Sequence, residues 1–207
     1  MSWQGIDPDL RAEMEAMHQK RELALSGSRQ IIQTSSKCIR HVHRNQFDIA
    51  EQLLAEAKQK SWDLRTALSE SPVILYAGYL QDAEKEMVEA AATMAIVREQ
   101  PIPTRSELKV DATSYLHGLG EAASECRRYV LDEMRNGSLV NAERMLGLME
   151  DIYESLITFD YPDGMTGGLR RTCDALRAVL ERTRSDLTLT AIQRQLMQDL
   201  RSAQGKG

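Results

Sequence analysis

The sequence predicts an all-α protein, on three observations. Its apolar residues are chiefly Leu, Ala and Met, with ten Met and only 5 % aromatic residues. Unbranched side chains of this kind lose little rotamer freedom in a helix. The apolar positions recur at helical spacing, and the alternating pattern of strands is absent. Finally, Pro, Gly and Ser/Thr/Asp signals divide the chain into helix-length pieces.

Asp7-Pro8 opens the first helix, with Asp as N-cap and Pro at the first helical position. The stretch to Leu25 is polar. Ser26-Gly27-Ser28 weakens the helix, though a long helix could run through it. From Arg29 to Arg44 one narrow stripe (Ile31, Ile32, Cys38, Ile39, Val42) stands against a basic remainder. A second helix is predicted over Asp48 to Leu68, and Glu70-Ser71-Pro72 stops it. A third is predicted as one piece from Pro72 to Glu99, apolar on several sides and ended by Pro101-Ile102-Pro103.

Thr104 and Glu107 form a capping box on a short helix. Asp111 caps a long helix that reaches Asn136 and closes at Gly137, and Ser138 caps another to Phe159. Tyr161-Pro162-Asp163-Gly164 is a turn, and Gly167-Gly168 a second break. A core helix then runs from Leu169 to Ser185, followed by a separate polar tail helix from Leu187 to Ala203. About six or seven helices result, in an antiparallel bundle that forms one domain over residues 1–207. Its N-terminal segment is polar and its tail, from about residue 187, is loosely held.

The net charge is −5, which argues against a generally basic nucleic-acid binder but leaves room for local basic surfaces. Cys38, Cys126 and Cys173 are far apart and lack zinc-ligand spacing, so they read as free, buried thiols in a reducing compartment. The N-terminus has no apolar signal region. No apolar run approaches the ~20 residues of a membrane span. A cytoplasmic protein without membrane attachment is the expectation.

The informative residues are carboxylates that interrupt apolar faces. Glu86 and Glu89 lie three apart in the run Met87 to Val97. Glu121 and Glu125 lie four apart among the small residues Gly118, Gly120, Ala122, Ala123 and Ser124. Glu154 shares a face with Glu150 and Asp151. Like charges on one helix face repel unless a cation or proton lies between them. Brought together, such carboxylates make an oxygen site for Mg²⁺ or Mn²⁺ that suits phosphodiester cleavage. Taken singly, each pair is also what a solvated face with a nearby Lys or Arg looks like. Asp82 and Glu84, in a more polar stretch, read as solvent charges. A di-iron bundle needs two Glu-x-x-His motifs, and only Glu15 to His18 supplies one.

Lys37, Arg40, His41, His43 and Arg44 form a basic cluster, with hydroxyls at Ser35 and Ser36. Arg170, Arg171, Arg177, Arg182 and Arg184 form another basic run. Either set suits phosphate contacts without base reading, or a solvated face paired with acids. Interleaved aromatics for base stacking are missing.

These segments resemble the translin/TRAX family. Arg29 to Ile32 and Ser36 to Arg44 are similar to its first-helix pattern "R-D-I-T … S-K-x-x-I-x-x-I-H-R". Glu84 to Ala90 is similar to "L-Q-E-Y-V-E-A". Tyr115 to Arg128 resembles "Y-L-x-G-V-x-D-L-x-G-E-L-x-R", Leu169 to Asp174 "L-R-K-x-x-D", and Ile152-Tyr153-Glu154, more loosely, "V-Y-D". The resemblance spans roughly residues 20 to 185, and the compact length matches an archaeal-type, TRAX-like member.

It implies a helical subunit of an octamer-like homo-oligomeric shell that binds single-stranded RNA or DNA. In TRAX-type subunits it implies Mg²⁺-dependent endoribonuclease activity. Carried over position by position, the acidic residues fall on Glu86, Glu89, Glu121 and Glu125 as catalytic and metal-binding residues. Lys37, Arg40, His43 and Arg44 would hold the nucleic-acid backbone. Two departures stand out: Glu121 replaces an aspartate, lengthening that arm by one methylene, and Gln30-Ile31-Ile32 replaces acidic and hydroxyl residues.

Overall fold

The computed structural model describes residues 8–204, which form helices joined by short turns and connections, with no strand among them. Nine helices appear among the described residues, against the expected six or seven; three are single turns, one of them, Arg105–Leu108, the expected short helix. The proposed cap Asp7 lies outside the described residues. No helix among them is long and apolar enough to cross a membrane. The chain packs as two compact units, Met1–Gly118 and Leu119–Gly207.

The first unit is built on α1 (Pro8–Val42), α2 (Phe47–Leu68) and α4 (Tyr79–Val97), each packed on the other two. The α1 helix does run through Ser26-Gly27-Ser28. A Cβ on Gly27 would come within 2.8 Å of Leu64 Cδ2, so the glycine lets α2 approach at that point. Ile31, Val42, Leu68, Leu80, Met87 and Val88 are fully buried at the centre, each worth on the order of 1.5–3 kcal/mol of transfer free energy.

The stretch predicted as one helix from Pro72 to Glu99 is two. The turn α3 (Pro72–Leu75) is separated from α4 by Tyr76-Ala77-Gly78, with Gly78 at φ +98°. That left-handed conformation suits glycine. Gln81 fixes the break: its side-chain oxygen accepts from the Gly78 N–H (3.2 Å), and its amide donates to the Leu75 carbonyl (2.9 Å).

The capping box forms as predicted at α5 (Arg105–Leu108). The Thr104 N–H donates to Glu107 Oε2 (2.7 Å), and the Glu107 N–H donates to Thr104 Oγ1 (3.3 Å). Trp62 Nε1–H donates to the Leu108 carbonyl at 3.0 Å, and the Lys109 ammonium lies 4.1 Å from the centre of the Trp62 ring.

Helix α6 (Ala112–Asn136) begins in the first unit, continues without interruption into the second, and ends at Gly137 with φ +89°. In the second unit α7 (Leu139–Ile157) packs on α9 (Leu169–Gln204), burying Met149, Ile152 and Leu156 on one side and Leu169, Leu176 and Leu180 on the other. Ser138 precedes α7 but makes no side-chain cap bond. The Pro162-Asp163-Gly164 turn tightens into the single turn α8 (Asp163–Thr166), closed by Gly167 and Gly168 at φ +61° and +82°.

The break expected near residue 186 is absent: α9 is continuous to Gln204. Ser185 and Asp186 are tolerable helix residues, and no Gly or Pro lies there to end it. Its last part is less polar in effect than its composition suggests, since Leu189, Ile192, Leu196, Met197 and Leu200 are all more than half exposed.

Candidate functional site

Glu86 and Glu89 stand on one face of α4 at half-buried positions, while the neighbouring Met87, Val88 and Ala90 are buried. The helix thus keeps two carboxylates shielded yet reachable, a placement that costs solvation and is retained only when something compensates it. The Lys85 ammonium, 3.7 Å from Glu86 Oε1, offsets part of that charge.

The start of α6 is pressed against this helix inside the first unit. Ser114 Oγ donates to the Gln81 carbonyl at 3.1 Å. One turn on, a Cβ on Gly118 would lie 2.5 Å from Val88 Cβ and 2.7 Å from the Lys85 carbonyl oxygen. Gly118 is therefore glycine because α4 leaves no room for a side chain.

In the second unit Glu121 and Glu125 are half-buried on α6. A Cβ on Gly120 would approach Thr172 Cγ2 to 2.6 Å, so the small residues around these carboxylates mark a close helix contact. Glu125 also lines an open groove of about 650 Å³ with Arg127, Arg128 and Arg135. Arg127 donates to Thr183 Oγ1 (3.0 Å) and Asp186 Oδ2 (2.7 Å), and Arg135 pairs with Asp132 (2.9 Å). Exposed Arg128 stands in the same groove. These arginines lie outside the two basic clusters that the sequence marks. The signal was their spacing, since Arg128 and Arg135 lie seven apart and so share a helical face.

Lys37, Arg40 and Arg44 are exposed at the C-terminal end of α1 and just beyond it, and His43 is half-buried among them. Ser35 is fully buried and cannot reach a phosphate from where it stands. The second basic run is largely paired: Arg170 with Asp160, Arg177 with Asp174, and Arg184 with Glu150. Glu154 is exposed, and the Arg184 contact falls on Glu150, its neighbour one turn earlier.

Glu84 corrects the sequence reading outright. It is 0 % exposed and not a solvent charge. Arg65 of α2 grips it with Nε on Oε1 (2.9 Å) and Nη2 on Oε2 (2.7 Å), and Ser61 Oγ adds a longer contact of 3.4 Å. The same Nη2 donates to Asp111 Oδ2 at 2.9 Å. Burial pushes the Glu84 carboxyl above the ordinary carboxylate range, and the Arg65 guanidinium pulls against it. The fork-on-carboxylate geometry is that of an ionised pair.

No family model matches this chain. A protein of Methanocaldococcus jannaschii is 33 % identical to it over 168 residues, covering 81 % of this chain and 74 % of the relative. Among solved structures, AfC3PO superposes with a TM-score of 0.82 at 34 % identity, covering 90 % of this chain and 97 % of that one. C3PO complexes are translin/TRAX assemblies.

The chain belongs to the translin/TRAX family.

Its translin/TRAX fold also matches the AfC3PO–duplex RNA complex, with a TM-score of 0.80 at 34 % identity over 90 % of the chain. Apo-NeC3PO, 22 % identical with a TM-score of 0.80, shares the fold.

Proposed function

We propose that this chain is an RNA-binding endoribonuclease of C3PO type, working as a homo-oligomer of octamer-like form. The observation that carries the reading is the 34 % identical, 90 % covered match to a C3PO solved in complex with duplex RNA. The half-buried carboxylates of α4 and α6 supply the chemistry. The acidic set is Glu86, Glu89, Glu121 and Glu125, and Lys37, Arg40, His43 and Arg44 hold the backbone of single-stranded RNA or DNA.

Within the first unit, Glu86 and Glu89 share the half-buried face of α4. The donor set is carboxylate oxygen alone, which fits Mg²⁺ or Mn²⁺ and suits neither zinc nor copper. Glu86, Glu89 and Glu125 would hold the ion, with Glu121 as ligand or base. When bound, the ion neutralises charge that develops on the phosphodiester. As base, Glu121 would orient the attacking water and accept its proton.

A second reading, a non-catalytic single-strand binder of translin type, is favoured by Lys85, whose ammonium already offsets Glu86. Labelled RNA, offered as a single strand and as a duplex with Mn²⁺ or Mg²⁺ against EDTA, separates the two. The nuclease reading expects metal-dependent cleavage that is lost in the Glu86→Ala/Glu89→Ala double variant while RNA binding persists. Unchanged cleavage in that variant would sink the site assignment. Binding without cleavage by the unaltered protein would establish the second reading.

A further inference from the structure

A cavity of about 260 Å³ opens where α7 ends and α9 begins, within the second unit. Three rings line it: Tyr153 on the last turns of α7, then Phe159 and Tyr161 in the connection. Phe159 is 43 % and Tyr161 58 % exposed, so these faces look into solvent rather than into a core.

The charges around the rings are unbalanced. Asp160 accepts from Arg170 Nη2 at 2.9 Å, and Asp174 from Arg177 Nη2 at 3.2 Å. Asp163, the third carboxylate of the lining, has no ionic partner among the described residues. Of the two arginines only Arg170 lines the cavity, so the wall is acidic and repels phosphate.

Size narrows the guest further. Sites for small organic ligands run from about 300 to 1,000 Å³, and this cavity falls just below that range. It admits one slender group, not a nucleotide. Ring faces beside a carboxylate attract organic cations, through the ring quadrupole and the formal charge together.

We propose that this cavity binds a single alkylguanidinium or alkylammonium group, such as the side chain of an arginine or lysine. The rings embrace the alkyl chain and the flat or rounded cation, and Asp163 supplies the counter-charge. This site is separate from the carboxylates assigned to phosphodiester chemistry and does not depend on that assignment.

Saturation-transfer NMR on the full-length protein tests it with n-butylguanidinium against n-butylurea, an uncharged analogue of the same shape. The cation should bind and the urea should not. Asp163→Asn should weaken cation binding about fivefold, the equivalent of roughly 1 kcal/mol, and Tyr161→Ala should weaken it as well. Both positions are exposed, so the melting temperature of each variant should match the parent.

Equal binding of the urea would overturn the proposal, as would unchanged affinity in both variants. Two further probes distinguish the source of the cation. Tighter binding of acetyl-Leu-Arg-Leu-amide than of spermidine assigns the site to a polypeptide side chain, and the reverse order assigns it to a free polyamine.

Discussion

Arg65 of α2 holds the wholly buried Glu84 of α4 in a two-pronged grip of 2.9 and 2.7 Å, and the same guanidinium reaches Asp111 at the entrance to α6. One side chain therefore ties α2, α4 and the segment leading into α6 together. Removing one member of a buried pair leaves an uncompensated charge, typically at a cost of about 3–5 kcal/mol, whereas replacing both by apolar groups is often near neutral. Arg65→Met should lower the urea-unfolding free energy by an amount in that range. Arg65→Met combined with Glu84→Leu should recover most of it. Equal losses in the single and double variants would show that the pair matters for its shape and not its charge.

Gly118 and Gly147 give an internal contrast. A methyl at 118 meets Val88 Cβ at 2.5 Å and backbone oxygen at 2.7 Å, and the backbone has nowhere to go. Gly118→Ala should destabilise by roughly 1–3 kcal/mol, as overpacking does. A Cβ on Gly147, inside α7, meets nothing within 4 Å. Gly147→Ala should stabilise by about 0.5–1 kcal/mol. Urea titrations of the two variants side by side would check both signs.

What the sequence disclosed, and what it withheld, follows the reach of each interaction. The capping box of Thr104 and Glu107 and the ends at Gly137 and Gly167-Gly168 were legible because their causes lie within a few residues. The halves of the Arg65–Glu84 pair are nineteen residues apart, and Asp111 lies further still, so nothing local marked Glu84 as buried. The break before α4 was hidden because Gly78 sits in an apolar stretch where a continuous helix is equally well patterned. At the candidate site, spacing identified Glu86, Glu89, Glu121 and Glu125 as half-buried faces. The arginines beside Glu125 on α6 were not legible because they are spread along the helix, whereas the denser basic run on α9 is largely paired with acids.

The three thiols should be inert in the native protein. Cys38, Cys126 and Cys173 are buried and unbonded. Burial pushes Cys38 and Cys126 up to about 12 and raises Cys173 as well. The thiolate is the reactive species, so a disulfide reagent at pH 8 should modify little until denaturant is added. Modification of even one thiol at a free-cysteine rate in native buffer would contradict this burial.

Acid should loosen α5 through Glu107. Its carboxylate accepts from the Thr104 hydroxyl and backbone N–H, which lowers its pKa below the ordinary 4.5. A carboxylate with a depressed folded-state value adds stability that is complete above the unfolded value and fades as pH falls through the folded one. Glu107→Gln should flatten the acid limb of a stability–pH profile below about pH 5 and leave its neutral plateau the same shape. An unaltered acid limb would rule out this contribution.

If the basic end of α1 grips a nucleic-acid backbone, its removal should show in salt dependence. For single strands each phosphate contact contributes about 0.7 to the slope of log affinity against log salt. Lys37→Ala, Arg40→Ala and Arg44→Ala should each reduce the slope by about that amount, without a change in sequence preference. Filter binding across a salt series measures it directly, and parallel lines for parent and variants would clear α1 of the role.

The left-handed Gly78 has a consequence for how this gene tolerates insertions and deletions. Each residue of an α-helix advances the side chains by about 100°. A codon gained or lost within α4 before residue 86 would rotate Glu86 and Glu89 out of register with the packing that precedes them. One gained or lost at Tyr76 or Ala77 falls outside any helix, and α4 would restart from its own glycine with its phase intact. Length variation among relatives should therefore gather in the three-residue gap between α3 and α4 and spare the nineteen residues that follow.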